Sequence, residues 1–192
     1  IEITKLKHTQ LCEFHSRYYN PTNAVFMTYG DLCWMEHQVC IEELVLNRFD
    51  GISEIVKILP QKPFDDKIEI EVAYQTTQVS ERSTHAIWGW VCGSSTDSDA
   101  LMEMHFLASV LLDHSGSPLR KLLETLETAN SPSEICGVDD STRQIIFVCG
   151  VEGTDDVFID EIESSIIQCL RDIVDEGISR DTLQAAIDRL EL

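Results

Sequence analysis

The sequence has few basic residues, no long apolar run and no secretory signal. Lys and Arg number 14 against 34 Asp and Glu, which gives a net charge of −20 at pH 7. A field of that sign repels polyanions, so we expect no binding to nucleic acid. No stretch reaches the ~18 consecutive apolar residues of a membrane span. We therefore expect a soluble chain that does not associate with membranes.

The excess of carboxylates has two interpretations. The favoured one is a solvated acidic surface that keeps the protein soluble. The other is a surface that gathers basic peptides, because a negative field attracts cationic partners. Charge alone does not decide between them.

Recognisable catalytic motifs are missing. There is no Gly-x-Ser-x-Gly elbow, no His-x-x-Glu-His metal motif and no Gly-rich loop between a strand and a helix. His105 and His114 lie nine residues apart, about half a turn out of phase on a helix, so we interpret them as surface or capping residues. We predict no catalytic and no cofactor-binding residue in this chain.

The seven cysteines form an odd, widely spread set: Cys12, Cys33, Cys40, Cys92, Cys136, Cys149 and Cys169. Most lie in apolar periodic segments, which favours free thiols in a reducing intracellular compartment. Cys33, His37 and Cys40 would share one helical face, but a fourth ligand has no candidate. Core packing or surface exposure is favoured there, and no metal site is predicted.

The first part of the chain predicts a helix, a strand and a second helix. Apolar spacing near 3.6 predicts a helix over 6–18, ended by Asn20 and Pro21. The β-forming run 24–29 predicts a buried strand, and residues 34–49 an amphipathic helix that stops at Asp50 and Gly51.

A domain boundary is predicted where the periodicity fades. Residues 51–66 contain Pro60 and Pro63 and are interpreted as a linker between a partial domain, 1–50, and a larger one, 67–192. Alternation over 68–75 predicts a strand with one wet face, paired with a second strand over 85–92 through the polar connection 79–84.

The rest of the larger domain predicts four helices and a central strand. Thr96 with Asp99 predicts the cap of a heavily buried helix ending near Asp113, and Pro118 starts another. Residues 144–151 predict a central strand, followed by a long helix that Gly177 closes and a last helix that Ser179 caps. The predicted fold class is α+β, an antiparallel sheet with helices packed on one face.

Two segments carry a family resemblance. The first has an aromatic helix end, Tyr18-Tyr19, then Pro-x-Asn-Ala over 21–24 and a strand finishing in Tyr-Gly-Asp at 29–31. The second is Ser-Pro-Leu-Arg-Lys-Leu-Leu-Glu over 117–124. Both resemble zinc metallopeptidases of the pitrilysin and insulinase type, closest to the presequence protease and falcilysin branch.

The resemblance implies a fragment without the reaction centre. Members are built from four α/β roll domains, and this chain is similar to the end of the first and most of the second. The family's zinc ligands and glutamate base would lie before Ile1, and its substrate-orienting residues after Leu192. The whole protein would need zinc and degrade peptides in a closed chamber, while this chain would be non-catalytic and bind no metal.

Alternatives to this interpretation stay open. A non-catalytic scaffold of the same fold, as in the core subunits of respiratory complexes, has the same roll domains. An unrelated α+β binding module would require the motif over 18–31 to be a coincidence. The compartment is undetermined and could be an organelle such as the mitochondrion. A homodimer could form through surface exposed because the first domain is cut.

Overall fold

A computed structural model describes residues 2–51, 57, 59–75 and 82–190. It divides the chain into two compact units, Ile1–Leu59 and Pro60–Leu192. Residues 79–81 of the predicted connection 79–84 lie outside the described residues. The predicted domain limits stay predictions.

The first unit is helical in the residues described. Its α-helices are α1, His8–Tyr18, and α2, Trp34–Leu44. Short 3-10 helices cover Glu2–Lys5, Pro21–Asn23 and Leu46–Arg48. The prediction that the second helix continues to residue 49 was wrong, because the backbone leaves helical geometry at Val45 with φ −122° and ψ −66°.

Asparagines organise the turn that carries the resemblance. The Oδ1 atom of Asn20 accepts hydrogen bonds from the Thr22 amide at 3.0 Å and its hydroxyl at 2.8 Å. Asn20 Nδ2 donates to the carbonyl of Asp50, and Asn23 Nδ2 donates to the carbonyl of Tyr18, each at 3.2 Å. The turn therefore ties the end of α1 to the segment after α2.

The strand predicted over 24–29 is absent from the structure. This segment forms no ladder, and Val25 and Tyr29 are 96% and 98% exposed. A strand needs a partner for its backbone groups, and the described residues of the first unit contain none. The prediction of a buried strand was therefore wrong for this chain taken alone.

The second unit contains an antiparallel sheet built around one strand. Its strands are β1, Thr84–Ser94; β2, Ser131–Pro132; β3, Gly137–Asp139; and β4, Gln144–Thr154. The long strand β4 pairs with β1 along one edge and with both short strands along the other. The predictions of a strand at 85–92 and a central strand at 144–151 are confirmed.

The strand predicted over 68–75 is not formed. Lys67 Nζ lies 2.8 Å from Glu163 Oε2, and the Tyr74 ring meets the His85 ring edge-on at 5.3 Å. Between these contacts Ile70 is 81% exposed, and the segment joins no ladder. Without burial of one face, alternation alone does not fix the register of a strand, so the prediction was wrong.

The described residues of the second unit form four α-helices and a short 3-10 helix, Asp156–Phe158. The α-helices are α3, Ser98–Leu112; α4, Pro118–Thr125; α5, Ile159–Glu176; and α6, Arg180–Leu190. Pro118 occupies the first turn of α4 as predicted. Gly177, at φ +77°, ends α5, and the Ser179 hydroxyl accepts the Thr182 amide at the start of α6. Within the described residues, no helix combines the length and apolar character needed to cross a membrane.

The cap of α3 differs from the prediction. Asp97, not Thr96, is the N-cap, and its carboxylate accepts the amides of Asp99 and Ala100 at 3.1 and 3.3 Å. The Thr96 hydroxyl instead accepts from Arg143 Nη1 at 2.7 Å. A carboxylate also suits the positive end of the helix dipole better than a hydroxyl.

Burial of α3 is confined to its second half. Residues 108–112 are buried, whereas Met102 is 72% exposed, so the prediction of a heavily buried helix was wrong for the first half. The apolar residues of α3 lie all round its circumference. The sheet and the neighbouring helices cover only its C-terminal end.

The helices pack on one face of the sheet, which confirms the α+β fold class. Alternate residues of β4 project into this core, together with residues of α4 and α5. The most deeply buried apolar side chains are Val110, Leu119, Leu123, Ile145, Cys149, Val151, Ile162 and Ile166.

Candidate functional site

The face of the sheet opposite the helices is the first candidate surface. Alternation turns Ile87 and Val91 of β1 away from the core, and these side chains are 50% and 49% exposed. Ile146 and Val148 of β4 lie beside them and are partly buried. Gly89 pairs with Val148 and leaves the middle of this face flat. We call these five residues the open face.

Charged residues lie at both ends of the open face. His85 Nδ1 is 3.9 Å from Glu152 Oε2 at one end. At the other end Asp139 accepts the Ser141 hydroxyl at 2.6 Å and its amide at 3.0 Å, and these hydrogen bonds lower the pKa of Asp139. An apolar strip between polar ends is suited to contact another protein surface or an extended peptide.

A cleft of about 620 Å³ lies between α4, α5 and α6. Apolar groups from Leu122, Cys169 and Ile173 line it, together with the carboxylates of Asp172 and Glu176. Gln168 Nε2 donates to Asp172 Oδ1 at 2.7 Å. The cleft therefore combines an apolar lining with negative charge. The cleft could not be predicted from the sequence, because its lining residues come from separate helices and share no motif.

The residues considered for metal binding do not assemble into a site. Cys33, His37 and Cys40 lie at the start of α2 and along it, where both thiols are exposed. Among the described residues, no three His, Cys, Asp or Glu side chains are grouped to hold a metal ion. The donors in the described residues therefore do not fit a zinc centre.

The two histidines compared in the sequence have different surroundings. His105 Nε2 lies 3.1 Å from Asp140 Oδ2, and both side chains are close to half exposed. His114 Nδ1 accepts the amide of Gly116 at 3.1 Å just after α3. They serve different local contacts and do not form a joint site.

Three thiols lie in or against the core of the second unit. Burial raises the pKa of Cys149 to about 12, with smaller contributions from Cys136 and Cys169. Burial also raises the pKa of Cys136 and of Cys169. A thiol is nucleophilic as its thiolate, so these groups are unsuited to act as catalytic nucleophiles near neutral pH.

Comparisons with known proteins identify the family of this chain. The family described as the peptidase M16 inactive domain matches residues 5–190. The chain is similar to the mitochondrial presequence protease of Danio rerio, with 27% identity over all of this chain and 19% of that protein. It is 29% identical to the mitochondrial presequence protease of Emericella nidulans, over 99% of this chain and 18% of that protein.

A bacterial relative matches this chain over a similar length. Protein HypA of Clostridium perfringens is 26% identical over 99% of this chain and 20% of its own length. The chain thus spans about a fifth of the length of these relatives. The resemblance to the presequence protease branch is confirmed, and the chain belongs to the peptidase M16 inactive domain family.

Proposed function

We propose that this chain is a non-catalytic part of a zinc metalloendopeptidase that degrades presequence-like peptides. The observation that carries the proposal is the match of residues 5–190 to an inactive peptidase domain. The zinc ligands and the general base would belong to other parts of the whole protein, and zinc would be its cofactor. This chain would contribute structure and surface to the enzyme.

The open face supports a role in forming the wall of a peptide chamber. Ile87 and Val91 on this face are about half exposed, and exposed apolar surface is usually covered by a partner or used for binding. A sheet with helices on one face can present the other face to an enclosed space. The net charge of −20 would favour basic peptides over polyanions in that space.

Zinc-dependent cleavage tests the catalytic part of the proposal. The longer reading frame that contains this chain should cleave a basic amphipathic peptide, and a zinc chelator should abolish the activity. The 192-residue chain should cleave none of the same peptide with added zinc. Cleavage by the chain alone would contradict its non-catalytic role. A folded long protein that never shows zinc-dependent cleavage would favour the scaffold alternative.

A charged substitution on the open face tests whether this face forms the wall of a peptide chamber. In the longer protein, Ile87→Glu should lower kcat/KM for the peptide by about tenfold, which corresponds to ~1.4 kcal/mol. Ile135→Glu is the matched control, because Ile135 is 57% exposed in the turn between β2 and β3 and lies outside the open face. Equal kcat/KM values for the two folded variants would contradict a role of the open face.

The compartment and the assembly state follow from the same proposal. Relatives named as mitochondrial proteases favour a mitochondrial location, and the reduced thiols suit a reducing interior.

Exposed apolar side chains of the first unit, such as Leu11 and Phe14, favour self-association of the isolated chain. Sedimentation over a concentration series should detect a dimer that Leu11→Glu weakens. A strictly monomeric chain at every concentration would contradict it.

A further inference from the structure

The cleft between α4, α5 and α6 carries negative charge that no lining residue offsets. Asp172 and Glu176 of α5 both line it. Among the described residues that line the cleft, none is Lys, Arg or His. Arg171 and Arg180 are close to these carboxylates in the sequence but do not line the cleft. The charge of the lining therefore favours a cationic ligand.

Both carboxylates keep the capacity to accept from a ligand. Gln168 Nε2 donates to Asp172 Oδ1 at 2.7 Å, and a carboxylate has about four lone-pair directions, so other directions stay available at Asp172. Within the described residues, the Glu176 side chain has no hydrogen bond or ion pair. A ligand with two positive groups could contact both side chains without displacing a basic residue.

The spacing of the two carboxylates suits a short aliphatic diamine. Asp172 and Glu176 are four residues apart on α5, so they lie on one face of the helix, about 6 Å apart along its axis. Two ammonium groups joined by three or four methylenes also lie about 5–6 Å apart when the chain is extended, because each bond is about 1.5 Å long.

An apolar wall lies beside the two carboxylates. Pro118 and Leu122 of α4 line the cleft opposite α5, together with Ile173 and Ile178. Leu122 and Ile173 pack against the core with part of their surface exposed. The volume of about 620 Å³ falls in the range of pockets that hold small molecules. The cleft can therefore cover the methylene chain of a small cationic ligand.

The ends of the two helices at the cleft add to this preference. α5 ends at Glu176, so its last carbonyls place the negative end of the helix dipole at the cleft. α6 begins beside them, but the Ser179 hydroxyl accepts the Thr182 amide at 3.1 Å, and Asp181 lies in the first turn. These groups offset the positive end of α6.

We propose that the cleft binds an aliphatic polyamine. Two ammonium groups contact Asp172 and Glu176, and the methylenes between them lie against the wall formed by Leu122 and Ile173. The cleft lies among the helices, whereas the open face is on the other side of the sheet. The site is therefore independent of the proposed peptide chamber.

Titration calorimetry with spermidine, an aliphatic triamine, tests the site in the 192-residue chain. Salt at ~150 mM screens the diffuse attraction of the net charge of −20. We expect one spermidine per chain. The double variant Asp172→Asn, Glu176→Gln should weaken binding about tenfold, because it removes both ion pairs.

A second double variant is the matched control. Asp160→Asn with Asp175→Asn removes the same charge from α5 at residues outside the cleft, and it should bind spermidine as the parent does. Equal weakening in both double variants would show attraction to the overall charge and would overturn the proposal.

Methyl NMR locates the ligand without any substitution. Spermidine should shift the methyl signals of Ile173 and Ile178 in the cleft, and those of Ile87 and Ile146 on the open face should stay in place. Shifts confined to the open face would overturn the proposal.

Competition separates a polyamine from other cations. Putrescine, a four-carbon diamine, should displace spermidine more effectively than the same concentration of Mg²⁺, which has equal charge and no alkyl chain. Equal displacement by Mg²⁺ would overturn the proposal. A basic amphipathic peptide that shifts the methyl signals of the cleft, in a chain that millimolar spermidine leaves unchanged, would also overturn it.

Discussion

The two units of the chain differ in how they use apolar residues. In the second unit, apolar side chains of β4, α4 and α5 form a closed core with several members fully buried. In the first unit, no described residue is buried, and α1 and α2 leave large apolar side chains exposed. Similar hydrophobic patterns therefore gave a core in one unit and an exposed surface in the other.

That difference teaches how far a pattern specifies a structure. A helical pattern needs only its own backbone to satisfy its hydrogen bonds, so both helices of the first unit form. A strand needs a neighbour, and burial needs a second layer. The first unit contains the local signals without the layer that would cover them.

The largest expected contrast comes from truncating a leucine in each unit. Leu119→Ala should lower the free energy of unfolding by about 2–5 kcal/mol, because it empties a fully buried site. Leu11→Ala, at a side chain that is 57% exposed, should change it by less than about 0.5 kcal/mol. Urea unfolding followed by far-ultraviolet circular dichroism, which reports the helices of both units, measures both. Equal losses would remove the contrast between the units.

A second contrast uses one glycine from each unit. A Cβ atom at Gly150 would overlap the carbonyl oxygen of Ala86 across the β1–β4 ladder, where the backbone has little room to move. Gly150→Ala should therefore cost about 2–3 kcal/mol. A Cβ atom at Gly51 would meet Thr22 Cγ2 at an ordinary 3.7 Å, so Gly51→Ala should be close to neutral. Thermal unfolding by circular dichroism should separate them, and a neutral Gly150→Ala would show that the ladder is loose there.

Alkaline pH should destabilise the second unit more than the first, because the second unit contains the buried Cys149 thiol. An unfolded cysteine ionises near pH 8.5, whereas Cys149 in the folded protein keeps its proton until pH about 12. Between these values only the unfolded chain releases this proton, so the free energy of unfolding falls by about 1.4 kcal/mol per pH unit. Below pH 8.5 this contribution does not depend on pH.

Cysteine variants test whether Cys149 causes the fall in the free energy of unfolding with rising pH. Cys149→Ala should make the decline above pH 9 shallower, whatever its effect on stability at pH 7. The control Cys12→Ala removes an exposed thiol of the first unit and should leave the slope unchanged. Guanidinium unfolding at several pH values between 8 and 10.5 provides the comparison. Parallel slopes in Cys149→Ala and the parent would contradict the raised pKa of Cys149.

The smallest contrast concerns helix capping. Asp97→Ala should cost about 1 kcal/mol, because the Asp97 carboxylate accepts two amides at the start of α3. Cys33 is the N-cap of α2 and makes no side-chain capping bond, so Cys33→Ala should have almost no effect. Hydrogen exchange at the first amides of each helix measures the change locally. Unchanged exchange at Asp99 and Ala100 in Asp97→Ala would refute the capping role.

The sequence predicted much of the fold of the second unit. Turn and cap residues such as Pro118, Gly177 and Ser179 placed its helices, because these residues act locally. The central strand over 144–151 was predictable from its continuous β-branched and apolar run. The strand predicted over 68–75 failed because register depends on a partner that the alternating pattern does not specify.

The candidate surfaces were less accessible to sequence analysis. The open face follows from alternation in β1 and β4, but its exposure depends on where the helices pack.

The dependence of every strand on β4 has a consequence for protein synthesis. The strand β1 leaves the ribosome first, and its partner is complete only after the sixty residues from Ser94 to Thr154 have been added. At ~5–20 residues per second, β1 waits on the order of 3–12 s with its backbone unpaired. During translation, β1 is therefore a natural site for a chaperone to protect.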